Sequence, residues 1–274
     1  MKHPRPPSLT PRAWLTYRIP RKVQYHPQKP ISKHAIRPRK GRQSQPWNRT
    51  IWGSSGDFMP FPPGFALKQP VKPFKPAFHK PIGLFGGTFD PPHCGHLFAA
   101  LLAKRRLGLE RVILIPCGRP PHKPKGGISP AADRLAMTKL AVKNQPGLEV
   151  SPIEIRRRGT SYTIITVQAM RKRFPRRDIF FIVGADTARD LSTWKRHQEL
   201  MSLVRFAVIA RPGCRMPALP GSSGNFVLLR TRGIPLASNQ LRRKLASGKF
   251  PPGSIPTSVA RYIRMRGLYI KRKV

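Results

Sequence analysis

Acidic side chains are scarce in this chain: 10 Asp and Glu stand against 53 Lys and Arg, for a formal net charge of +43. With so few carboxylates, none of them clustered, the chain has no metal cage of its own to offer a hard divalent cation. Cysteine is also rare. Cys94, Cys117 and Cys214 are the only three and no CxxC spacing joins them. That argues against a zinc site and fits free thiols in a reducing compartment. No apolar run approaches the roughly 18 residues that span a bilayer, and no secretory apolar core follows Met1. A soluble, cytoplasmic protein is expected. What remains is a strongly positive field that draws anions, and nucleotides, pyrophosphate and nucleic acid satisfy it equally.

The charge and the prolines are unevenly spread. Residues 1–80 hold 15 of the 33 prolines and 17 of the 53 Lys and Arg, against the single acid Asp57. Such a stretch repels itself and lacks the periodic apolar residues needed to offset the entropy of ordering. It is expected to be a disordered basic Pro-rich extension. An idle tail, a start of translation further on (at Met59, for instance), a basic arm that touches nucleic acid incidentally and a transit peptide are the readings open to it. Residues 81–274 form the expected folded domain, still with 36 Lys and Arg against 9 Asp and Glu.

The domain is organised around residues 82–96, IGLFGGTFDPPHCGH. Ile82, Leu84 and Phe85 read as a buried strand. Gly86 and Gly87, without Cβ atoms, let the backbone run close to a ligand and tolerate positive φ. The turn through Thr88, Phe89 and Asp90 delivers His93 and His96 to the mouth of a helix, LFAALLAKRRL, beside its open N–H groups. Strand, turn and helix mouth together make an anion site suited to phosphate. Cys94 is filler between the histidines.

Beyond it, residues 111–117 (RVILIPC) read as a second strand and 118–127 as a loop. Ser129 is expected to cap a helix with Pro130 in its first position, over 131–142. A strand is expected over 148–155, a helix from 160–163 to 174, and a continuous apolar strand over 178–183 ending in Gly184, Ala185 and Asp186. Strands at 206–210 and 226–229 follow, then helices at 236–248 and 257–266, the latter capped by Gly267. Strands alternating with helices across short connections predict an α/β fold with a doubly wound parallel sheet, whose ligands sit at the carboxyl ends of the strands.

The dozen residues GGTFDPPHCGHL resemble the signature of the nucleotidyltransferase superfamily that carries an HxGH motif, most closely the bacterial nicotinate-nucleotide adenylyltransferase family. Five further elements follow in that family's order. RPPHK, ending in Lys123, resembles a loop beside the mononucleotide and phosphates; Asp133 and Arg134 match a polar pair in a helix's first turn, and Arg134 is the better candidate for a role. SYT, with Thr163, resembles the stretch near the pyridine ring. GAD followed by Leu191 and Trp194 matches the pattern in which Asp186 holds the adenosine side and Trp194 faces the pyridine. LASNQLR keeps Ser238 and Arg242 but has Ala237 and Asn239 where hydroxyl residues are usual, which leaves Arg242 as a clamp on the triphosphate and Asn239 standing in for a hydroxyl.

The resemblance implies a Rossmann-like nucleotidyltransferase fold and transfer of AMP from ATP to nicotinate mononucleotide, giving nicotinate adenine dinucleotide and pyrophosphate in NAD biosynthesis. It implies His93 and His96 as catalytic residues, and Gly86, Gly87, Thr88, Phe89, Gly184, Asp186, Ser238 and Arg242 with them around ATP. Lys123, Thr163 and Trp194 would hold the mononucleotide, and Mg²⁺ would arrive with ATP. The alternatives are another HxGH adenylyltransferase, acting on nicotinamide mononucleotide or phosphopantetheine, and a basic nucleic-acid-binding protein. The sequence does not speak to oligomeric state.

Overall fold

The computed structural model describes residues 79–121, 128–210, 225–230 and 236–270. The expected disordered extension lies outside these apart from His79 and Lys80, as do Lys123, Cys214 and the basic C-terminal end.

Six strands form one sheet: β1 (Ile82–Gly87), β2 (Val112–Pro116), β3 (Leu148–Val150), β4 (Ile179–Gly184), β5 (Arg205–Ala210) and β6 (Phe226–Arg230). All neighbouring pairs are parallel and the order is β3-β2-β1-β4-β5-β6. This is the expected doubly wound sheet, and its winding reverses between β1 and β4, where Leu84 is in register with Phe181. A crevice opens at such a switch point, because the connections leave β1 and β4 in opposite directions.

Parallel strands are covered on both faces, so they are apolar at nearly every position. Period-two alternation then sorts the side chains: Ile82 and Leu84 join one core, while Phe85 joins the other. The core that takes Phe85 lies under α1 (Cys94–Arg106), α2 (Ala131–Val142), α7 (Ser238–Ala246) and α8 (Thr257–Met265). The opposite core lies under α4 (Thr163–Arg173), α5 (Ala185–Arg189) and α6 (His197–Leu203). Each fully buried Leu or Ile on either side contributes roughly 1.5–3 kcal/mol.

Two local expectations are corrected. The strand expected over 148–155 stops at Val150 and a short helix, α3 (Ile153–Arg156), follows. Ser151 still donates its N–H to the Leu114 carbonyl, but Pro152 has no N–H to continue the ladder. Ser129 does not cap α2, which has Pro130 at its N-cap. Instead the Ser129 N–H donates to Asp90 at 3.2 Å and its carbonyl accepts from Arg134 at 3.0 Å.

Candidate active site

β1 ends in the turn that leads to His93, the N-cap of α1, and His96 sits three positions into the helix. The two imidazoles stack with centroids 3.7 Å apart and planes at 27°. The His93 backbone N–H donates to Nδ1 of His96 at 3.2 Å. An amide can only donate, so Nδ1 is the acceptor and the neutral ring carries its proton on Nε2. Phe89 packs edge-on against His96 at 5.0 Å and is itself buried. His96 is thus held by a hydrogen bond on one side and an aromatic ring on another, with its donor orientation set before any ligand arrives. Both histidines line a cavity of about 1050 Å³ at the carboxyl ends of β1 and β4, a size suited to nucleotide-scale ligands.

The glycines at the strand ends have a packing role as well. Gly86 and Gly87 line this cavity but neither has positive φ. A Cβ on Gly86 would meet the Phe181 ring at 3.0 Å and one on Gly87 the Phe89 ring at 3.1 Å. They are small so that two aromatic rings can lie on the strand end. Phe181 in turn meets Trp194 edge-to-face at 6.1 Å, so the packing at Gly86 reaches the far wall of the cavity. Gly184 is the one that leaves the wall open, since a Cβ there meets nothing within 4 Å. The helix mouth is also less open than expected: Cys94 N–H donates to Ser254 O, and those of His96 and Leu97 to His93 O.

Behind the cavity a buried polar frame ties the loops together. Arg134, 1% exposed, donates to the carbonyls of Thr88, Cys117, Gly118 and Ser129. One guanidinium therefore joins the turn after β1, the loop after β2 and the start of α2, and burial lowers its pKa from the usual arginine range. Asp90, also 1% exposed, accepts from the Ser129 N–H and from the Tyr269 hydroxyl at 2.6 Å. Burial and the Asp90 charge raise the Tyr269 pKa, which keeps that hydroxyl a donor. Ser161 accepts from the N–H groups of Gly118 and Arg119 at 3.1 and 3.2 Å, holding the same loop from the α4 side. Among the described residues the thiols are held protonated: burial pushes Cys94 up to about 12, and burial with the Glu154 charge pushes Cys117 up to about 11.

Residues 84–244 match the model of the cytidylyltransferase-like family. A protein of Desulfatibacillum aliphaticivorans named "Probable nicotinate-nucleotide adenylyltransferase" is 37% identical over 216 residues, covering 69% of this chain and 99% of the relative. One of Thermus thermophilus with the same name is 41% identical over 188 residues, covering 69% and 98%. This chain belongs to the nicotinate-nucleotide adenylyltransferase family. Among solved structures, Plasmodium falciparum nicotinic acid mononucleotide adenylyltransferase complexed with NaAD matches at a TM-score of 0.61 and 17% identity, over 70% of this chain and 98% of that one. At that identity the likeness is one of fold.

Set against the adenylyltransferase motifs, the cavity gathers Gly86, Gly87, Thr88, His93, His96, Thr163, Gly184, Asp186 and Trp194 on its walls. Three other expected contacts stand elsewhere. Phe89 lies in the core rather than on the wall, with φ of 49°; the left-handed region costs such a residue roughly 1–2 kcal/mol, which its packing against His96 must offset. Ser238 donates to the Pro91 carbonyl at 3.2 Å and Arg242 to the Asp90 carbonyl at 2.7 Å, so α7 buttresses the turn from behind. Lys123 is outside the described residues. Arg134 proves to be a frame residue with no exposure to the cavity, and Asp133 pairs with Tyr262 of α8 and with Arg266 just after it. Sequence reasoning missed Ser161 and Tyr269 as loop anchors and Lys195 on the cavity wall.

Proposed function

We propose that the chain transfers AMP from ATP to nicotinate mononucleotide, releasing pyrophosphate, as the names of its relatives suggest. An oxygen of the mononucleotide's 5′-phosphate attacks the α-phosphorus of ATP; the bond from that phosphorus to the bridging oxygen breaks and pyrophosphate leaves with the electron pair. The attacking oxygen is already anionic, so the residues have to position two anions and stabilise charge that grows on the α-phosphate and the leaving group. The observation that carries this reading is the stacked pair His93 and His96 at the mouth of α1, both on the wall of a nucleotide-sized cavity at the sheet's switch point.

In this reading His93 and His96 hold the reacting phosphates, Gly184 and Asp186 take the adenosine side, and Thr163 with Trp194 receives the pyridine. Lys123, Ser238 and Arg242 belong to the phosphate side, where α7 would have to release the 90–91 carbonyls to reach a ligand directly. Mg²⁺ supplies charge neutralisation when bound. It takes one or two carboxylates beside phosphate oxygens, and no cluster of three or more metal-ligating side chains occurs among the described residues; the ion fits the triphosphate better than a protein cage.

No helix of the described residues is long and apolar enough to cross a membrane, and with free Cys94 and Cys117 a cytoplasmic setting suits the reaction.

The test is to incubate the purified chain with ATP and Mg²⁺ and one acceptor at a time, and to measure pyrophosphate. Fastest release with nicotinate mononucleotide is expected. Faster release with nicotinamide mononucleotide or phosphopantetheine would overturn the substrate assignment, and none with any acceptor the reaction.

A further inference from the structure

In a chain with 53 Lys and Arg, Lys195 is the only one of either kind among the described residues that line the cavity, where Glu154, Asp186 and Asp190 are also present. Its ammonium stands 4.4 Å from the centre of the Tyr162 ring. Among the described residues it forms no ion pair with an acid. A cation held on an aromatic face is kept in place without a counter-charge, so its charge remains available to a ligand.

We infer that Lys195 is a specificity-determining residue that favours an acid over an amide on the ring of the mononucleotide, by setting its ammonium against the ring carboxylate. The inference rests on the adenylyl-transfer reading and deepens it. If the mononucleotide's phosphate meets His93 and His96 at the mouth of α1, its ring extends away from that mouth. The aromatic side chains that line the cavity away from the mouth include Tyr162 and Trp194, and Lys195 follows Trp194 and lies over Tyr162. The acid and amide mononucleotides share the ribose phosphate and differ only in the ring substituent. A side chain that serves the shared phosphate changes both substrates alike, whereas one that serves the substituent changes the acid alone. A charge pair at partly solvated distance contributes about tenfold, or about 1.4 kcal/mol.

The experiment compares kcat/KM for nicotinate and nicotinamide mononucleotides, at saturating ATP and Mg²⁺, in the wild type, Lys195→Met and Lys195→Arg. Lys195 is exposed, so neither change disturbs the core. The expected result is an acid-to-amide ratio about tenfold lower in Lys195→Met, chiefly through KM for the acid, with Lys195→Arg within about threefold of wild type. An unchanged ratio in Lys195→Met overturns the inference while leaving adenylyl transfer intact. Equal losses for both substrates overturn it as well and assign Lys195 to the phosphate. A wild type that releases pyrophosphate with neither mononucleotide overturns the inference together with the reading on which it rests.

Discussion

The two edges of the sheet use arginine in opposite ways. At the amino edge, Glu110 lies between Arg111 and Arg177, Arg111 reaches Glu149 at 2.9 Å, and Arg177 also donates to the Lys80 carbonyl at 3.0 Å. These side chains are a quarter to a half exposed and their partners are carboxylates in reach of water. At the carboxyl edge, Arg134 is buried and holds four main-chain carbonyls from three segments. A guanidinium in water exchanges one solvated partner for another and gains little. One sealed under loops leaves several orphan acceptors if it is removed. The difference teaches that the edge able to bind a ligand is the one whose loops are also fixed from within by a buried polar frame.

The sharpest way to break this comparison is Arg134→Met. Four carbonyls would lose their donor in a dry setting, and a loss of at least about 3 kcal/mol in urea unfolding is expected. A loss below about 1 kcal/mol would mean that the buried arginine is no different from the exposed ones. Next comes His96→Ala, which removes the imidazole at the helix mouth and should lower turnover at least about a hundredfold at a temperature where the variant is still folded. Near-normal pyrophosphate release would take His96 out of the chemistry. Tyr269→Phe is expected to have a smaller effect: losing the hydroxyl on the buried Asp90 carboxylate should destabilise by about 1–3 kcal/mol, measured by the same urea titration. An unchanged midpoint would separate the C-terminal segment from the turn it touches.

Much of this was legible before any coordinates. The strands at 82–87, 112–116 and 179–184 are near-continuous apolar runs, as a sheet covered on both faces requires, and the carboxyl ends of two of them already carry Gly86, Gly87 and Gly184. The HxGH stretch pointed to the helix mouth because its dozen residues are consecutive. Roles that depend on distant backbone were not legible. Arg134 looks like any helix-start cation, and its four acceptors come from residues 5 to 46 positions away. Gly86 and Gly87 do line the cavity, but that a Cβ on them would meet the rings of Phe181 and Phe89 could not be read from the sequence, because it does not say which side of a strand end is already filled. Lys195 was invisible for a different reason: one lysine among 53 cations has no contrast, and it gains meaning only once the cavity is seen to hold no other Lys or Arg among the described residues.

The smallest expected effect tests the amino edge. Hydrogen bonds from Arg111 and Arg177 pull the Glu110 carboxyl down to about 2 from the ordinary 4.5. A folded-state value below the unfolded one means that the stabilisation is fully present above about pH 4.5 and is lost as pH falls toward 2. Because these groups are partly exposed, Glu110→Gln should destabilise by no more than about 1 kcal/mol at neutral pH. The gap between wild type and variant should shrink at pH 2.5, where the unfolded carboxyl is protonated, and also at 1 M salt, where the Debye length falls to about 3 Å. A gap above about 2 kcal/mol that persists at high salt would show that water does not screen this edge, and the contrast with Arg134 would then rest on the number of acceptors rather than on burial.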